Sequence, residues 1–115
     1  MENRKKHTKS KEMEWEQNKE VSEKHLLGGE DGLHMNLLKL EPGRHIPLHK
    51  HVDTRYNYIL KGSMSDEHGE YTEGDLVVNE KGSEHSINAG EKGCEFLVIW
   101  GDVNGQVLSQ LANLT

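Results

Sequence analysis

Cys94 is the lone cysteine of this sequence, which excludes an intramolecular disulfide and leads us to expect a reducing, cytoplasmic setting. Long apolar runs are missing too. No stretch approaches the roughly 18 residues of a membrane span, and none has the make-up of a signal peptide, so neither a membrane partner nor export is expected. A basic excess is also absent. The chain holds 14 Lys and Arg against 20 Asp and Glu. That balance argues against a nucleic-acid partner, whose phosphates would call for a cationic face. At 115 residues there is room for one hydrophobic core and not for two.

What is present divides near residue 24. Residues 1–24 carry four apolar side chains (Met1, Met13, Trp15 and Val21) and residues 25–115 carry 33, so we read a charged, flexible N-terminal tail followed by a domain. Charge divides at the same point. The first part is nearly neutral, with seven basic and six acidic residues, and the second holds seven against fourteen. Within the tail the spacing allows a short helix around Glu12 to Glu23. Trp15 reads equally as an anchor on the domain and as an exposed side chain.

From residue 25 onward, short alternating apolar stretches are separated by turn clusters. Leu33 to Leu40 is one such strand. Arg55 to Leu60 and Leu76 to Asn79 are others, with Lys61-Gly62-Ser63 read as a break, Met64 to Asp66 as a resumption and Glu67-His68-Gly69 as a hairpin turn. Glu91-Lys92-Gly93 reads as a turn into Cys94 to Trp100, where Cys94, Phe96, Val98 and Trp100 face one way and Leu97 and Ile99 the other; such a strand belongs at the centre of a sheet. Val107, Leu111 and Leu114 fit a helical spacing better than alternation. Many short strands with glycine-rich turns predict an all-β sandwich or barrel.

The chemistry concentrates in Gly43 to Gly62, GRHIPLHKHVDTRYNYILKG. His49 and His51 are one residue apart on a predicted strand and so project to one face, a spacing suited to a metal ion. His85, in GDLVVNEKGSEHSINAG from Gly74, is the candidate third ligand. The bland alternative is a polar network in which the imidazoles hydrogen-bond to Tyr56, Tyr58 or Asn79. His45 shares the strand parity of His49 and His51, but a surface or rim position suits it better.

These stretches resemble the two signature motifs of the cupin superfamily. In G-x5-H-x-H-x3-E-x6-G, the residues Gly43, His49, His51 and Gly62 fall in register; in G-x5-P-x-G-x2-H-x3-N, so do Gly74, Gly82 and His85. Asp66 to Gly74 (DEHGEYTEG), followed by GSEH at Gly82 and by Gly93-Cys94, is most similar to the ChrR-like branch. The resemblance implies a jelly-roll barrel, or double-stranded β-helix. It also implies a divalent metal (iron, zinc, nickel or manganese) on His49, His51 and His85. The branch includes cupin domains of zinc-dependent anti-sigma factors and dioxygenases of the acetylacetone dioxygenase type, which use three histidines and no carboxylate. A small enolisable or diketone-like ligand, or else a sensor and regulatory role, follows as expectation, and a homodimer is expected.

Three positions depart from the motifs: Arg55 stands for the glutamate, Glu80 for the proline and Ala89 for the asparagine. Arg55 leaves three readings open. It pairs with Asp53, or holds a substrate carboxylate or enolate, or marks a site that has lost its metal. Arg55 and Tyr58 are the candidate substrate contacts.

Overall fold

A computed structural model describes residues 5–101. Eight strands follow a single 3-10 turn at Ser10–Glu12: β1 (Glu16–Asn18), β2 (Val21–Gly28), β3 (Leu33–Leu40), β4 (His45–Lys50), β5 (Arg55–Asp66), β6 (Gly69–Thr72), β7 (Leu76–Asn79) and β8 (Glu84–Gly101). All pairings are antiparallel, and the main path runs β1-β2-β3-β8-β5-β6, with β4 on β8 and β7 on β5. The all-β jelly roll expected from the sequence is the fold found. Among the described residues no helix is long and apolar enough to cross a membrane.

Two long strands organise the roll. The later half of β8 pairs with β3 and the start of β5, while its earlier half pairs with β4 and the end of β5. Sequence reading expected a break at Lys61-Gly62-Ser63 and a turn at Glu91-Lys92-Gly93. Instead β5 and β8 run through both places, and glycine lets each strand change direction without ending. The register slips between Ile59 and Lys61 and again between Gly62 and Met64. Gly62 and Gly93 both adopt φ +75°, a left-handed conformation that side chains disfavour.

The core follows the alternation. Cys94, Phe96 and Val98 of β8 are buried with Leu40, Ile59, Met64, Ile87 and Ala89, and Trp100 packs against them. Leu97 and Ile99 lie on the opposite face and are half-buried. As expected, β8 is central. Burial pushes the Cys94 thiol up to about 11, with Glu95 adding to the shift, so it is a packing group at neutral pH.

The N-terminal segment differs from the sequence expectation. No helix spans Glu12 to Glu23; Glu16–Asn18 and Val21–Gly28 form a hairpin instead. Pairing of β2 with β3 rewards extended backbone with a full ladder, whereas a helix there had only one favourable charge pair. The sheet therefore begins at Glu16, ahead of the compositional divide at residue 24. Trp15 lies 4.6 Å from the ammonium groups of both Lys24 and Lys39, and Lys24 Nζ donates to the Ser10 carbonyl at 2.7 Å. Trp15 is thus an anchor on the domain. The helical spacing of Val107 to Leu114 lies outside the described residues.

Candidate metal centre

His49 and His85 are directly opposed partners in the β4–β8 ladder, which brings their side chains to one place. The register of β4 slips between Ile46 and His49, so Ile46 packs on the core and His49 still faces inward, while Pro47 and Leu48 are exposed. This slip also sets His45 apart from the pair. His45 is exposed, and its Nδ1 bonds Asn88 Oδ1 at 2.8 Å. His51 follows β4 and is pinned by its backbone: its N–H donates to the Ser83 carbonyl at 2.9 Å and its carbonyl accepts from Gly82 at 2.8 Å. The second histidine is therefore tied to the loop that introduces the third.

The three imidazoles pack edge to face, with ring centroids 4.7 to 5.0 Å apart. Their donor atoms all lie within 4.8 Å of one another, a cluster that can hold a metal ion. The hydrogen bonds behind the rings set the tautomers. His49 Nδ1–H donates to the Pro47 carbonyl at 2.9 Å, and His85 Nδ1–H donates to Asp66 Oδ2 at 3.2 Å, which leaves both Nε2 lone pairs for the cavity. His51 Nε2 lies 2.8 Å from His85 Nε2. One proton must sit between those nitrogens. The gap is close to the roughly 3 Å that two nitrogens adopt when each is about 2.1 Å from one ion at a right angle, so an ion can take the proton's place. The residues present thus fit a divalent metal. Among the described residues the cluster holds three histidines and no carboxylate.

Burial, then His85, His49 and Arg55, push His51 down to about 4. In the unfolded chain it would titrate near 6.5, so the unfolded state binds more protons between these values. Its contribution to stability is present above pH 6.5 and is lost as the pH falls through about 4. We predict that the metal-free protein loses stability over this window. Chemical denaturation at stepped pH checks this, and a His51→Gln protein should show a flatter profile.

Asp66 was not read from the sequence. Its side chain is 4 % exposed and accepts from His85 Nδ1–H, from the Tyr71 hydroxyl at 2.8 Å and from the His68 backbone N–H at 2.8 Å. Burial alone would raise its pKa, but these donors hold it below the usual carboxylate range. Tyr71 is pushed up to about 12, by burial and by its bond to Asp66, so it stays a donor. A carboxylate behind a ligating imidazole fixes the ring and raises its basicity. Asp66→Asn should therefore weaken zinc binding about 10- to 100-fold, measured by competition with a chelator, while leaving the fold intact.

The cavity in front of the histidines has a volume of about 370 Å³. Its walls include Leu38, Ile46, Met64, Ile87, Phe96 and Val98, with Asn57 and Asn79 as polar members. Arg55 lines it. Its Nε donates to Asp53 Oδ1 at 3.1 Å, and its guanidinium carbon lies 4.2 Å from the Trp100 ring centroid. Trp100 is in turn stacked on His34, centroids 4.8 Å apart and planes within 7°. Of the open readings of Arg55, the pairing with Asp53 is the one observed, and the residue lines the cavity at the same time. Tyr58 does not line the cavity. It pairs with Leu76 and Leu97 and is 44 % exposed, because it is three residues from Arg55 and faces the other side of β5. Asn57 occupies the inward position. Lys19 and Glu20, at the β1–β2 turn, also line the cavity and lay outside the domain as read from composition.

A family model described as "ChrR Cupin-like domain" matches residues 3–104. The chain belongs to this family. Among curated proteins, the ChrR cupin-like chain is 36 % identical over 74 residues to oxalate decarboxylase OxdC of Bacillus subtilis (strain 168), covering 56 % of this chain and 19 % of that protein. It thus spans about a fifth of that relative. In solved structures it matches the Rhodobacter sphaeroides complex of SigE with the anti-sigma ChrR, with a TM-score of 0.69 and 25 % identity over 82 % of this chain and 51 % of that one. It also matches a predicted oxalate decarboxylase of Thermotoga maritima, with a TM-score of 0.70 and 25 % identity over 84 % of this chain and all of that one (100 %). The cupin resemblance and its ChrR-like branch, read from the motifs, are borne out.

Proposed function

We propose that this cupin binds a divalent metal through Nε2 of His49, His51 and His85 and uses it to bind, and to act on, a small oxygen-rich ligand. One observation carries this reading: in a cavity, His49 and His85 turn unprotonated Nε2 atoms inward because Pro47 and Asp66 take their Nδ1 protons. With three protein ligands and no carboxylate among the described residues, coordination positions stay open. A bound divalent ion would polarise ligand oxygens, and iron(II) would in addition supply oxygen chemistry. The finer form of the reading is an iron-dependent dioxygenase for an enolisable or diketone-like compound. Here the chain's residues hold the ligand in a mostly apolar chamber, and Arg55 meets its negative charge. Oxygen consumption by the iron-loaded protein with diketones tests that form; metal uptake without any consumption would leave only the binding role.

The likeness to anti-sigma ChrR favours a second reading, a metal-binding sensor module that acts through a partner protein. For either role the chain is taken to be a cytoplasmic homodimer. The outer sheet face supports the dimer, since Tyr58, Leu60, Leu76 and Val78 are all exposed there and Tyr58 sits opposite Leu76 in the ladder. Sedimentation should show a dimer that Leu76→Glu converts to monomer. A monomeric wild type would remove this part of the reading.

A further inference from the structure

We infer that the Lys19–Glu20 turn is a built wall of the metal cavity, and that Lys19 and Arg55 together select a ligand that carries a carboxylate in addition to the oxygens that meet the histidine site. This rests on the metal-binding reading above and names the class of ligand it serves. Lys19 and Glu20 line the same cavity as His49, His51, His85 and Arg55. The turn is held in shape from several sides. Lys19 takes φ +54°, the Gln17 side-chain amide donates to the Lys19 carbonyl at 2.8 Å, and Ser22 Oγ donates to Gln17 Oε1 at 2.9 Å. Asn18 Nδ2 donates to Glu23 Oε1 at 3.1 Å, and Trp15, clasped by Lys24 and Lys39, fastens the chain leading into the hairpin.

Charge then decides what this wall is for. Among the described residues Lys19 makes no ion pair, and Arg55 spends only Nε on Asp53, so its terminal nitrogens have no acceptor. An ammonium and a half-used guanidinium at one cavity are the groups that bind a carboxylate, with the guanidinium able to do so in two-point fashion. Among the described residues Glu20 is the one acidic side chain on the lining, and the two cationic side chains outnumber it there, so the wall favours an anionic ligand over a neutral one. The remaining wall is largely apolar, so the ligand is a small oxo-acid, with oxygens for the metal at one end and a carboxylate at the other.

4,6-Dioxoheptanoate and acetylacetone test this, because both carry the 1,3-diketone oxygen pair and only the first adds a separate carboxylate. Titrating each into zinc-loaded protein by calorimetry, with metal content measured first, should show 4,6-dioxoheptanoate bound at least about 10-fold tighter, the scale of one charge-assisted contact. Lys19→Gln should erase most of that ratio at unchanged zinc content, and Glu20→Gln should tighten 4,6-dioxoheptanoate alone. Equal affinities in the wild type, an unchanged ratio in Lys19→Gln, or no binding of either compound by zinc-loaded protein would overturn the inference. Failure to take up zinc at all would instead overturn the metal reading beneath it.

Discussion

Replacing His85 with alanine is expected to lower the metal content of the purified protein from about one equivalent per chain to less than about a tenth of that, since two imidazoles alone hold a divalent ion far more weakly than three. His85 is the member whose loss removes most. It is 4 % exposed, opposes His49 across the ladder and carries the Asp66 support, so its deletion also takes one of three donors from a buried carboxylate. His45→Ala is the control. That side chain is exposed and bonds Asn88, so metal content should not change. Elemental analysis of the three proteins, expressed with iron, zinc and manganese supplied, decides the matter. Full occupancy in His85→Ala would place the metal elsewhere, and an empty wild type would remove the three-histidine site from the argument.

Gly62→Ala is expected to have the largest effect on stability. A Cβ at Gly62 would collide with the carbonyl oxygen of Gly93, which belongs to the neighbouring backbone and cannot swing aside, and φ at Gly62 is +75°. Strain of this kind in an ordered strand should cost about 3 kcal/mol or more, with a fall in Tm of more than about 10 °C for a domain of this size. Gly82→Ala provides the comparison: φ is +88°, but nothing lies within 4 Å of the added atom, so only the conformational cost remains. Thermal unfolding of the metal-free proteins would separate the two. Equal Tm values for the two variants would mean that the strands slide apart freely at this corner.

Much of the site was legible because it is encoded by spacing. His49 and His51 share a face by strand alternation, and the glycines around them place His85 in register with a known motif. Tyr58 shows the same rule neglected: an odd separation from Arg55 already sets it on the opposite face, and alternation alone would have chosen Asn57. Asp66 was hidden for another reason. Its link to His85 spans 19 residues and depends on the bend and register of β5 against β8, which no local pattern reports. Lys19 and Glu20 were masked by composition, since a hairpin with few apolar residues reads as a tail until a neighbouring strand pairs with it.

The two long strands shared by both halves of the roll also bear on how the chain reaches its native state. Neither half can close until β5 has met β8, a contact between segments some thirty residues apart, and β3 must cross a longer gap to join the same strand. Such distant pairings make closure entropy a large part of the barrier and place the refolding time in the range of about milliseconds to seconds. The ligands ride on this late event. His49 and His85 become neighbours only once β4 has zipped onto β8, so ion capture would act on the finished ladder and slow its opening, a kinetic brake on unfolding more than an aid to assembly.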